Sequence, residues 1–303
     1  MEQSTVFAGL NGYVWWIGVV EDRKDPLNLC RCRIRIFGWH TDDKVMIPTD
    51  GLPWAQPILP INGSKEFSTP KEGEWVTGFF LDGQSGQFPI YNGVIPGIPS
   101  PYVNNPKVGF NDPRTDAELA AAPIPYGQSA KRHPRYPDEP STSRLYRNEN
   151  LDTTVIGRRN SSLTTGIPTA DGSSWDEPKS AYAAVPPYNN AKETESGHAL
   201  EFDDTPNAER INLAHRTGTY IEMRPDGSQA ARVVGSNYEI IAGSDFVNIK
   251  GSCNITINGN ANIKVGGNAN LNVSGNLDET ISGNHTIKVS GNYKLTASRI
   301  DLN

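Results

Sequence analysis

Three different hydrophobic patterns divide the chain. Between residues 10 and 98, short runs rich in aromatic and β-branched residues are separated by turn signals: YVWWIGVVE (13–21), CRCRIRIFGW (30–39), EWVTGFFLDG (74–83) and FPIYNGVI (88–95). Runs of this kind predict strands. In the second run Cys30, Cys32, Ile34 and Ile36 share one face and Arg31, Arg33 and Arg35 the other. That alternation predicts a half-buried strand with a basic outer row. LDGQSGQFP (81–89) predicts a Gly-rich hairpin between the last two strands. Several short strands ending in such a hairpin fit a small closed barrel of the OB type.

Residues 98–193 lose this regularity. Fourteen of the 23 prolines fall between Pro96 and Pro187, and apolar positions follow neither a strand nor a helix period. One helical turn is predicted in DPRTDAELAAA (112–122). The rest reads as a Pro-rich extended linker laid along other surfaces.

From residue 194 onward a third pattern takes over. Glycines stand at 227, 235, 243, 251, 259, 267, 275, 283 and 291, an unbroken spacing of eight. Two residues before each glycine from 235 onward lies Val233, Ile241, Ile249, Ile257, Val265, Val273, Ile281 or Val289. The fourth residue after a glycine is commonly apolar too: Val247, Ile255, Ile263, Leu271, Ile287 and Leu295. Because eight is even, a strand's alternation of faces stays in phase from one repeat to the next. One face is therefore apolar, the other carries Asn, Lys, Ser and Thr, and Gly235, Gly243, Gly251, Gly259, Gly267, Gly275, Gly283 and Gly291 mark corners. One octad cannot bury its own apolar edge, so the repeats must stack. An eight-residue Val/Ile-x-Gly period suits an intertwined triple-stranded β-helix, a three-sided prism made by three chains. At ~4.8 Å per strand, nine octads give a rod of about 40 Å.

Composition adds exclusions. A net charge of −6 over 303 residues provides no basic footprint for nucleic acid. No run approaches the ~18 apolar residues of a membrane-spanning helix. The N-terminus, with acidic Glu2 before its apolar patch, does not read as a signal peptide. Cys30, Cys32 and Cys253 make an odd set, which fits folding in a reducing cytosol rather than a disulfide framework.

Two stretches carry a resemblance. SGHALEFDDTPNAERINLAHRTGTYIEMRPDGS (196–228), with its E-F-D-D-T-P…E-R-I signature, and the octads after it resemble the needle of the central spike proteins of contractile-tailed, T-even-like bacteriophages. The same family resemblance extends to the valine-glycine repeat protein of type VI secretion. GVVEDRKDPLNLCRCRIRIFGWHTDD (18–43), LPWAQPILP (52–60) and GEWVTGFFLDG (73–83) are similar to that family's N-terminal OB-fold. The resemblance implies an all-β homotrimer: an OB-fold hub-binding domain over 1–97, a linker over 98–193 and a triple-stranded β-helix needle over 194–303. It further implies a virion baseplate protein, assembled in the host cytoplasm, that seats on a hub ring protein and mechanically punctures the bacterial envelope. The last repeat, SGNYKLTASRIDLN, has no histidine, so a separate spike-tip protein is expected at the C-terminus. The alternatives are a spike of a type VI or contractile-toxin machine, or a polysaccharide- or peptidoglycan-degrading tail enzyme.

The T-even proteins carry a lysozyme domain between barrel and prism, and residues 98–193 are too short and irregular for one. A glycosidase needs two placed carboxylates on a packed scaffold. Asp116, Glu118, Asp138, Glu139 and Asp176 lie in the predicted linker, so no catalytic residue, cofactor or metal is expected. Cys30-x-Cys32 with His40 reads as strand packing rather than a metal site, since no second ligand pair exists. Asp203-Asp204 before Thr205-Pro206 reads as a turn. Of Trp15 and Trp16, one is expected in the barrel core and the other at a subunit or hub interface. Glu239, Glu279, Asp245 and His285 fall on inward positions of the octads. Glu279 is expected near a His285 of the trimer, with water or an ion on the axis, because unpaired buried charge is costly.

Overall fold

The computed structural model describes residues 13–61, 69–97, 104–121 and 141–301. It comprises two compact units, Met1–Asn254 and Ile255–Asn303.

The first unit begins with five strands: β1 (Trp15–Asp22), β2 (Cys32–Ile36), β3 (Trp54–Pro57), β4 (Trp75–Phe80) and β5 (Pro89–Ile95). They close into a barrel in the order β1-β2-β3-β5-β4, with β3 and β5 parallel. Closure leaves no sheet edge and completes the OB-type barrel. Alternate residues fill it: Trp16, Val20, Cys32, Ile34, Val76, Phe80 and Tyr91 form one buried cluster. Gly78 is required there, since a Cβ would lie 2.5 Å from the Trp16 ring and 2.0 Å from the Ile90 carbonyl oxygen. The β4–β5 hairpin closes as predicted. Asp82 accepts hydrogen bonds from the Gln87 and Phe88 amides, and Gly86 takes φ 64°.

The basic outer row on β2 needs correction. Arg35 is fully buried and pairs with equally buried Glu21, Nε to Oε1 at 2.7 Å. Its remaining N–H groups donate to the Thr41 and Ile47 carbonyls. Arg31 is bidentate to Asp25, and Arg33 lies over the Trp54 ring. The physical reason is a second layer over this side of the barrel. Residues 104–114 are laid along it, with Phe110 stacked on Phe37 at 4.2 Å and the Gly109 amide bonded to the Asp42 carbonyl. Cys30 sits outside the strand at φ 60°, while Cys32 is buried.

The predicted helical turn is α1 (Asp116–Ala121). Residues 141–193 do more than link. α2 (Arg144–Arg147) and α3 (Val155–Ser161) are short helices, capped by the Ser143 and Thr154 side chains. They bury Leu145, Val155 and Ile156 with Ala199, Ala214, Tyr220 and Ala230. β6 (Ile167–Pro168) and β7 (Ser174–Trp175) make a small hairpin. β8 (Asn189–Glu193), which the sequence reading left in the linker, is the edge of a five-stranded antiparallel sheet. That sheet continues with β9 (Ala199–Asp203), β10 (Arg210–Ala214), β11 (Tyr220–Met223) and β12 (Gln229–Arg232). Helices of four and seven residues are too short to display a 3.6-residue period, which is why this part of the chain looks featureless.

Barrel and sheet are tied within this unit. Arg23 pairs with Glu72 of the barrel at 3.0 Å and is bidentate to Glu195 in the β8–β9 turn. Burial alone would raise the Glu195 carboxyl, but the Arg23 hydrogen bond and charge bring it below its usual 4.5. A depressed folded value means that the tether's contribution is present above the ordinary carboxylate range and is lost as pH falls through the lower folded value. We expect hydrogen exchange in the 193–198 turn to accelerate below about pH 4. Glu195→Gln is expected to exchange fast at every pH; a turn equally protected at pH 7 in that variant would contradict the assignment.

Candidate assembly surfaces

The five-stranded sheet is inverted relative to an ordinary amphipathic sheet. Its inward face carries Glu201 and Asp203 on β9, Arg210 and Asn212 on β10, and Glu222 on β11, all buried. Arg210 bridges Glu201 at 2.7 Å and Glu222 at 3.4 Å, and Arg159 from α3 reaches Glu222 at 2.8 Å. Asn212 and Asn189 donate to Glu201, and Ser180 Oγ and the Ala181 amide donate to Glu222. The Arg159 guanidinium also lies 3.8 Å from the Tyr220 ring centre. This pairing offsets much of the cost of burying these charges.

The outward face is apolar at its centre, with Asn190 and Lys192 of β8 and Gln229 of β12 at its margins. Register aligns Phe202, Ile211 and Met223 in one row and Leu200, Leu213, Ile221 and Ala231 in the next. Phe202, Ile211, Leu213, Ile221 and Met223 are 42–57% exposed. Contiguous exposed apolar surface of this kind marks an interaction site. The E-F-D-D-T-P…E-R-I signature now has a physical meaning. Glu201 and Arg210 are the internal ion pair, Phe202 and Ile211 the external apolar pair, and Asp203 accepts from the Thr205 amide and hydroxyl to set the turn. Sequence reasoning found the turn but missed the network. The signal was present as strict alternation, ALEFD and RINLA, with the charges placed on the wrong side.

Val233 continues the outward row, two residues beyond Ala231. From there the chain bends at 234–235, 242–243, 250–251, 258–259, 266–267, 274–275, 282–283 and 290–291, with no turn or helix between. Each bend is one of the predicted corner glycines with the residue before it. A further bend at Ser298 keeps the beat where no glycine stands. The residues two before each glycine are 42–57% exposed, and those four after are 56–91% exposed. None of the corner glycines from 235 to 291 lies in the left-handed region, and a Cβ there would meet nothing of its own chain within 4 Å. Glu239, Glu279, Asp245 and His285 are likewise exposed within one chain.

On the barrel, Trp16 is 3% exposed and packs against Phe80, so it is a core residue and not an interface residue. Trp15 points outward at 62% exposure, opposite Phe79 across β1–β4, with Tyr13 against the same Phe79 ring. His40 accepts the Ile36 amide through Nδ1, and burial pushes its imidazole below the usual value. Among the described residues no group of three or more His, Cys, Asp and Glu side chains could hold a metal ion. Asp116, Glu118 and Asp176 are exposed, and Asp138 and Glu139 lie outside the described residues.

The described residues thus hold a closed barrel, an inverted antiparallel sheet and a C-terminal chain bent every eight residues. Residues 259–282, three octads, match the Gp5 C-terminal repeat (3 copies). The chain is 36% identical over 272 residues to Protein Gp5 of Vibrio phage KVP40, an alignment spanning 78% of this chain and 61% of that one. Over 66 residues it is 48% identical to the Pre-baseplate central spike protein Gp5 of Enterobacteria phage T4, covering 22% of this chain and 12% of the relative. The chain is thus a homologue of the phage Gp5 proteins and carries their C-terminal repeat, while spanning only part of their length.

Proposed function

We propose that this protein is a homotrimeric structural spike of a phage baseplate. Three C-terminal chains wind into a prism whose core is the Val233-to-Val289 series. The observations that carry this are the exposed apolar rows of β9–β11 and, further along the chain, the exposed Val233-to-Val289 series of the octads. A single chain leaves these surfaces open, and three related chains can close them around one axis. The corner glycines support the same reading, because nothing in their own chain requires them, whereas neighbouring chains would crowd a side chain there.

The role is mechanical. Strands hydrogen-bonded to other chains resist axial load, and the prism exposes no free edge. The barrel seats on a hub ring protein, with Trp15, Tyr13 and Phe79 as contact surface, and a separate tip protein joins the needle. On contraction the needle crosses the bacterial envelope. Inside the prism, Glu279 and His285 of the three chains face the axis with water or an ion between them. Lysozyme chemistry has no place in this scheme. Native mass spectrometry of the purified chain tests it: a mass three times that of the 33.1 kDa chain is expected, and a monomer would overturn it.

A further inference from the structure

A recess of about 360 Å³ lies between the β6–β7 hairpin and β12, lined by Trp175, Tyr220, Glu177, Thr164, Gln229 and Arg232 among others. Its volume falls in the range of small-ligand sites. The lining combines an aromatic plate with planar polar groups. Trp175 is 47% exposed, so its indole is presented rather than packed. Glu177 is fixed opposite it, accepting from the Tyr220 hydroxyl at 2.7 Å and from the Thr164 amide at 3.0 Å. Arg232 is held by the Ser162 carbonyl and by Glu177. The guanidinium in the lining is thereby neutralised locally, which disfavours phosphate or carboxylate ligands, and the polar rim disfavours a lipid chain.

The remaining chemistry suits a pyranose. A sugar ring offers an apolar C–H face to an indole and a rim of hydroxyls to carboxylate, amide and hydroxyl groups. Gln229, on an exposed position of β12, supplies a donor and an acceptor at the mouth. Tyr220, Ala230 and Arg232 reach it from the inward face of the sheet, and Gln229 and Ala231 from the outward face, around the edge strand β12. We propose that this recess binds a neutral sugar residue of a polysaccharide. The site goes beyond the spike reading and does not require it.

The test is a titration of the full-length assembled protein with N,N′-diacetylchitobiose, maltose and cellobiose, followed by tryptophan fluorescence. At least one sugar is expected to give a saturable change with half-saturation near about 1 mM. Trp175→Ala is expected to weaken that binding about tenfold or more with the assembled mass unchanged, and Gln229→Ala about threefold. A response that survives in Trp175→Ala, or no saturable response to any of the three, would overturn the site. So would a Trp175 shielded from acrylamide quenching in the assembly, which would show the recess filled by a second copy.

Discussion

Val265→Asp is expected to abolish the trimer and leave a monomer or a soluble aggregate in native mass measurements. Val265 sits two residues before the corner at Gly267, inside the 259–282 repeats. In the proposed prism three copies meet at one level of the axis, so one substitution places three carboxylates in an apolar core. Each unpaired buried charge costs several kcal/mol, about 3–5 kcal/mol where one partner of a pair is missing. Multiplied by three this is about 9–15 kcal/mol, comparable with the whole stability of an ordinary domain at about 5–15 kcal/mol. Lys264→Asp, one residue earlier and therefore on the opposite face, is the matched control and is expected to leave the mass unchanged. If both variants remain trimeric, the parity assignment of the octads is wrong.

That parity was legible because a strand's period is exactly two residues and the repeat is even, so a single chain fixes its faces without knowing its partners. The same alternation placed Trp16 inside the barrel and Trp15 outside once β1 was defined, although sequence alone could not say which was which. Two things were not legible. Arg35 alternates with Ile34 and Ile36 and so looks solvated. Its burial depends on Glu21 in the previous strand and on the 104–114 segment, whose contacts are long-range and carry no local pattern. The β8–β12 sheet was not legible for the converse reason. Glu201, Arg210 and Glu222 alternate with apolar residues, and charge is ordinarily assigned to water. Only the cover supplied by residues 141–182 reverses the faces, and its helices are too short to announce themselves.

Glu222→Ala is expected to lower the stability of the sheet by about 3–5 kcal/mol, read as a fall in the denaturation midpoint of the full chain. The carboxylate is fully buried and receives Arg159, Arg210, Ser180 and the Ala181 amide. Removing it leaves two guanidinium groups out of water with too few acceptors, which is worse than never having buried them. Glu222→Gln keeps the shape and one acceptor, and a smaller loss of about 1–3 kcal/mol is expected. Replacing Glu201 and Arg210 together by Met is expected to lose less than the sum of the two single changes, because the pair removed as a unit strands no charge. The double variant also separates stability from orientation. With the central ion pair gone, only Asp203, Asn212 and Glu222 of β9–β11 hold the polar face inward, so the sheet loses part of the chemical reason to turn Phe202, Ile211 and Met223 outward. A well-folded double variant that no longer trimerises would therefore identify the buried charges as the feature that directs the apolar face toward its partners; a double variant that trimerises normally would confine them to a structural role.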